Sequence, residues 1–162
     1  MAQDETTGSP PNATPAGPPQ LFINAQYVKD LSFENPRAPQ SLLQQKAQPE
    51  VSLDVDVKAT NLAPELFEVM LTISAEAKAE GEAVFIVQVT YGGVITVKNA
   101  TGDMLTGLVF VETPRLLFPF ARNVIATATR DGGFPPLLIN PIDFTALLRR
   151  EQAKATGQTA TA

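Results

Sequence analysis

Three strand patterns in a row between Val51 and Val97 constrain this chain more than any other feature, because the third is apolar on both faces. In the first, Val51, Leu53, Val55 and Val57 alternate with Ser52, Asp54, Asp56 and Lys58, the period of two that a half-buried strand requires. The second repeats the logic, with Phe67, Val69, Leu71, Ile73, Ala75 and Ala77 set against Glu68, Met70, Thr72, Ser74, Glu76 and Lys78. In the third, Phe85, Val87, Val89 and Tyr91 alternate with Val84, Ile86, Gln88 and Thr90. Leaving two or three such side chains in water forgoes about 1.5–3 kcal/mol each, against the about 5–15 kcal/mol that stabilises a whole domain. A second subunit or a bound chain is therefore expected over one of its faces.

The tight Ala79-to-Glu82 segment predicts a hairpin between the second and third patterns. Gly92 and Gly93 invite another, but parity opposes it. A two-residue turn there would pair Val89 with Thr96 and move Ile95 to the other face, whereas a continuous strand keeps Phe85 to Val97 in register. One strand from Ala83 to Val97 is expected, bent or closely approached at the glycines. A strand-like run from Leu21 to Val28 precedes these patterns. Between Leu31 and Glu50, Pro36, Pro39 and Pro49 predict an irregular connection long enough to cross a sheet.

After Gly102 the period changes from 2 to 3.6. Asp103 to Glu112 reads as a short apolar helix. Thr113 is placed to cap a second one with Pro114 at its first position. Its apolar stripe is Leu116, Leu117, Phe120, Ala121, Val124, Ile125 and Ala128, opposite Arg115, Arg122, Asn123, Thr129 and Arg130. Pro119 predicts a kink and Gly132-Gly133 a stop. A last helix is expected from about Ile142 to Lys154. The fold class is α+β: a four-stranded antiparallel sheet, Greek-key-like, with two main C-terminal helices on one side. Residues 1–20, rich in proline, and 155–162 are expected to be disordered tails around one domain at 21–154. The N-terminal stretch has neither a basic start nor an apolar run, so a cytoplasmic protein without membrane insertion is expected.

The chain has no His, Cys or Trp, which removes imidazole acid–base chemistry, cysteine nucleophiles, disulfides and Cys/His zinc sites. It carries no phosphate-binding loop and no Asp-rich calcium loop, so no cofactor and no metal is expected. A net charge of −5 argues against nucleic acid. The charge is uneven: from Asp30 to Gln88 ten acidic side chains face four basic ones, a net −6, and from Lys98 to Lys154 five face seven, a net +2. Asp54 and Asp56 share one strand face and could do paired-carboxylate chemistry, but alternation already explains them as a solvated face. The apolar surface exceeds what one sheet and its helices can bury, which points to oligomerisation and a client-binding groove. The alternative is a small-ligand-binding or enzymatic α+β oligomer, which would instead need a closed pocket with converging polar groups.

Several motifs in order resemble the protein-export chaperone SecB family: YVKDLSFENP from Tyr27, QPEV from Gln48 with its alternating Leu and Asp, the Tyr91-Gly-Gly step, LFPFAR from Leu117, and GFPPL with NPIDF from Gly133 to Phe144. The resemblance spans about Leu21 to Arg150. It implies a cytoplasmic homotetramer, a dimer of dimers, that is not an enzyme. Such a chaperone binds unfolded precursor proteins without ATP and passes them to the SecA motor. By matching motif, the SecA-binding residues are Asp30, Glu34, Ile86 and Gln88, the last standing where family members typically carry Glu. The client groove is placed on Val51, Leu53, Val55, Phe144, Leu147 and Leu148.

Overall fold

A computed structural model describes residues 17–43 and 48–157; most of the two predicted tails lies outside them. Strands β1 (Gln20–Glu34), β2 (Glu50–Ala63), β3 (Leu66–Ala79) and β4 (Glu82–Lys98) form one antiparallel sheet in the order β1-β4-β3-β2. Strands β2, β3 and β4 meander, and the connection after β1 crosses from one edge of the sheet to the other, a Greek key. It carries one turn of helix, α1 (Gln40–Leu43). At the β3–β4 hairpin Glu80 and Gly81 both have positive φ, 53° and 79°, the conformation that a tight two-residue hairpin turn needs.

Strand β4 runs unbroken through Gly92 and Gly93, which are approached from both sides. The Tyr27 ring lies over Gly92 and the Leu117 side chain over Gly93, 3.1 Å from where a Cβ would stand. Odd positions of β3 and β4 form the inner face: Leu71, Ile73, Val87 and Val89 are fully buried, against Leu117, Ala121 and Ile125 of the main helix.

Strand β1 is longer than the run to Val28. It continues to Glu34 because its pairing with β4 shifts twice, between Ile23 and Ala25 and between Val28 and Asp30. Each extra residue exchanges the faces. Strand β2 likewise passes Lys58 and ends at Ala63.

The helices differ from expectation at one joint. Helix α2 (Gly102–Gly107), a wide π turn (Leu108–Glu112) and helix α3 (Thr113–Asp131) follow without a break, so Thr113 is not a cap. A regular α-helix would point the Phe110 carbonyl at the absent N–H of Pro114. Widening the turn relieves this: the Thr113 N–H reaches Leu108 O, and its hydroxyl donates to the same carbonyl at 2.8 Å. Thr129 also leaves its predicted outward face. It is fully buried, its hydroxyl donating to Ile125 O at 3.0 Å and accepting the Leu137 N–H at 2.9 Å. That bond ties the proline-rich segment after α3 back onto the helix. Leu116 and Phe120, expected in the core stripe, are instead each 47% exposed. Helix α4 (Phe144–Gly157) starts after Asp143, whose carboxylate accepts the Ala146 N–H at 3.0 Å, and runs three residues past Lys154.

Candidate functional site

The sheet register sorts the candidate residues onto two surfaces. On the outer face, away from the helices, Asp30 pairs with Thr90, Ser32 with Gln88 and Glu34 with Ile86. Strands β3 and β2 extend these rows through Thr72 to Asp56, Ser74 to Asp54 and Glu76 to Ser52. Paired residues of an antiparallel ladder point to the same side, so Asp30, Glu34, Ile86 and Gln88 converge. Asp54, Asp56 and Glu76, which alternation alone marks only as solvated positions of two separate strands, join them. The centre of the face is polar and internally bonded: Ser74 Oγ donates to Gln88 Oε1 at 2.9 Å, and the Thr72 and Thr90 hydroxyls lie 3.1 Å apart. Ile86 is a half-buried apolar side chain between Glu34 and Glu76. The even face of β4 is thus half-buried at Ile86, Gln88 and Thr90, with acidic residues on the strands either side.

At one end of this face, Lys29 bonds the Glu68 carboxylate, and the Tyr27 hydroxyl turns toward the same group. The ammonium of Lys29 holds Glu68 below the usual carboxylate range, and the carboxylate in turn raises Lys29. Burial, then Glu68, raises the Tyr27 phenol.

The inner face of β2 carries the other candidates. Val51, Leu53, Val55 and Val57 pair with Ala77, Ala75, Ile73 and Leu71, so they face the helices. Only Val55 and Val57 are packed against the core, while Val51 and Leu53 remain 41% and 47% exposed. Val55 enters a cleft of about 100 Å³ with Phe110, Leu147 and Leu148. Val51 lines a larger groove of about 700 Å³ with Val84, Phe85, Phe134, Leu137 and Leu138. Leu53 lies between the two, so an apolar strip runs along an edge strand from one recess to the other. Phe144 does not line it. Only 1% exposed, it packs edge-on against Phe118 at 6.2 Å and supports the wall from behind. Phe110 and the Phe134 segment are linings that motif matching left out; Phe134, next to two prolines in an apolar run, carried a sequence signal.

The large groove has an ionic rim. Arg37 of the β1–β2 connection reaches Glu82 at the start of β4, 2.7 Å away, and Phe33, Phe85 and Phe134 form an aromatic cluster, Phe33 stacked on Phe85 and Phe134 tilted against both, with centroids 5.0–6.4 Å apart. Among the described residues no group of acidic side chains is arranged to hold a metal ion. Helices α2 and α3 together are long and apolar enough to span a membrane by composition, but one side of α3 is the core of the sheet and Arg115 and Arg130 project outward.

A Greek-key sheet with a helical layer on one side, an open apolar groove and an acidic opposite face define a polypeptide-binding α+β protein. Residues 14–155 match the family described as preprotein translocase subunit SecB, and the chain belongs to the SecB family of protein-export chaperones. The protein-export protein SecB of Afipia carboxidovorans is 50% identical over 147 residues, covering 91% of each chain. That of Bradyrhizobium diazoefficiens is 49% identical over 154 residues, covering 93% of this chain and 94% of its own. Among solved structures, a SecB-like chaperone of Mycobacterium tuberculosis in complex with a ChAD peptide from the HigA1 antitoxin has the same fold, with a TM-score of 0.59 at 16% identity over 75% of this chain and 90% of that one.

Proposed function

We propose that this chain is an ATP-independent holding chaperone of the cytoplasm. It binds unfolded precursor proteins on its apolar grooves, works as a homotetramer without catalysing a reaction, and hands its clients to the SecA motor. The observation that carries the reading is the apolar strip from Val51 through Leu53 to Val55, open at both ends into recesses walled by Phe85 and Phe134 or by Leu147 and Leu148. An unfolded segment offers apolar side chains that a folded protein hides, and a long open groove takes them without selecting one shape. The unpaired edge of β2 beside the strip can bond an extended backbone. Two recesses per protomer let one long client bind at several points, which multiplies affinity.

Assembly into four chains accounts for a second uncovered apolar surface. Ile23, Val28 and Leu31 on the inner face of β1 and Leu116 and Phe120 on α3 are 37–47% exposed, and Phe120 is held flat against Tyr91, their rings 6.2 Å apart. A second copy covers these side chains. The acidic outer face, with Asp30, Glu34, Ile86 and Gln88 together, is left for the motor. Light scattering with and without a chemically unfolded precursor tests the reading. A species near four chains should capture the unfolded precursor and ignore its folded form; a monomer indifferent to both would sink it.

A further inference from the structure

We propose that Thr129 is a positioning residue for client binding, holding the Phe134–Leu138 wall of the large groove through its carbonyl and its buried hydroxyl; the inference rests on the client role given above to that groove. The wall begins where helix α3 ends. Gly132 N–H bonds Ala128 O, Gly133 N–H bonds Arg130 O, and Phe134 N–H bonds Thr129 O at 3.1 Å. With Gly133 at a φ of 91°, this is a Schellman motif, which reverses the chain at a helix end. It fixes the backbone of Phe134, whose ring is buried against Phe85 with centroids 5.0 Å apart.

Beyond Phe134 the chain is neither helix nor strand until Phe144, and Pro135 and Pro136 have no N–H to bond. The next buried side chain is Ile139, 3% exposed. Pro135 to Leu138 therefore bridge two anchors. The first N–H after the prolines, that of Leu137, bonds the Thr129 hydroxyl at 2.9 Å, so both N–H groups flanking the prolines return to one residue. The hydroxyl can accept this bond because of where its own proton goes. A hydroxyl has one proton and two acceptor lone pairs. The Thr129 proton is shared between Ile125 O at 3.0 Å and Ala126 O at 3.1 Å, one turn back, which leaves a lone pair for Leu137. Thr129 is fully buried and touches no client. Leu137 and Leu138 line the groove, at the position that its hydroxyl sets. A valine there would keep the shape but lose the acceptor, and the bridge would be held only at its two ends.

The test uses the full chain, with reduced and carboxymethylated α-lactalbumin as the unfolded client. In the parent protein the Leu137 amide should exchange slowly with deuterium. Thr129→Val should make it exchange fast and lower client affinity about fivefold, the equivalent of one hydrogen bond. Thr129→Ser, which keeps the hydroxyl, should restore both. SecA affinity, set on the opposite face of the sheet, should be equal in all three proteins, whereas a general loosening of the fold would lower it in Thr129→Val. A fast-exchanging Leu137 amide in the parent overturns the proposal even if Thr129→Val does not fold. So does a client affinity loss that Thr129→Ser shares, which would trace to the lost methyl group. Leu53→Ser reports on the groove itself. If it weakens capture and Thr129→Val does not, the positioning role is overturned. If it leaves capture unchanged, the client role of the groove fails, and exchange at Leu137 alone decides for or against the tether.

Discussion

Gln88 sits at the middle of the acidic face and takes a hydrogen bond from Ser74 through its amide oxygen. A carboxylate would accept the same bond, so Gln88→Glu changes charge without changing geometry. Its neighbours on the same face include Asp30, Glu34, Asp54 and Glu76, which makes an added charge slightly costly to the fold but strengthens attraction for a basic partner. The variant should bind SecA about three- to tenfold more tightly at low salt, and the gain should shrink as ionic strength rises. Calorimetric titration at two salt concentrations reads both effects; an affinity unchanged at either would remove Gln88 from the docking surface.

At the scale of elements, the π turn between α2 and α3 lets Pro114 sit inside one continuous helix. Thr113 is fully buried and its hydroxyl bonds Leu108 O. Thr113→Val keeps the shape but removes that bond, so stability should fall by about 0.5–1.5 kcal/mol, read as a lower Tm, with client capture unchanged. The same joint shows where sequence stops being legible. A Thr-Pro step has the grammar of a helix start, and only the wide turn, in which the Thr113 N–H and hydroxyl both reach Leu108 O, makes it a helix interior. Strands β3 and β4 were readable because one face is buried along its whole length, so every second residue reports the pattern. β1 was readable only to Val28, because the two extra residues at Asn24 and Lys29 reverse the alternation and cancel each other's signature. Of the candidate site, the apolar alternation of Val51, Leu53 and Val55 was visible in composition. The meeting of Asp30 and Glu34 with Ile86 and Gln88 depends on pairing between strands more than fifty residues apart, and local pattern carries no trace of it. The family resemblance assigns Phe144 to the groove on a motif match, and a motif does not tell a lining side chain from the buried ring behind the wall.

For the whole molecule, the proposed assembly places the exposed apolar set on β1 and α3 under a second copy. Replacing both Leu116 and Phe120 by Asp places charges where a second copy would bury them, at a cost of several kcal/mol per interface. The variant should elute and scatter as a species smaller than four chains while its circular dichroism stays that of the parent, because both side chains lie outside the core. Persistence of a four-chain species would move the assembly surface elsewhere. The crossing connection after β1 has one more consequence, in the order of events during synthesis. β2, β3 and β4 can zip together as they emerge, but β1, made first, has its partner in β4, made last. At translation rates of about 5–20 residues per second, the finished β1 waits about 3 to 13 s for the end of β4. Throughout that interval it is a lone strand with both edges open, the kind of segment that pairs with whatever is nearby. Its two irregular positions make it a poor template for any flat neighbour, so the newborn chaperone is guarded against becoming a client itself.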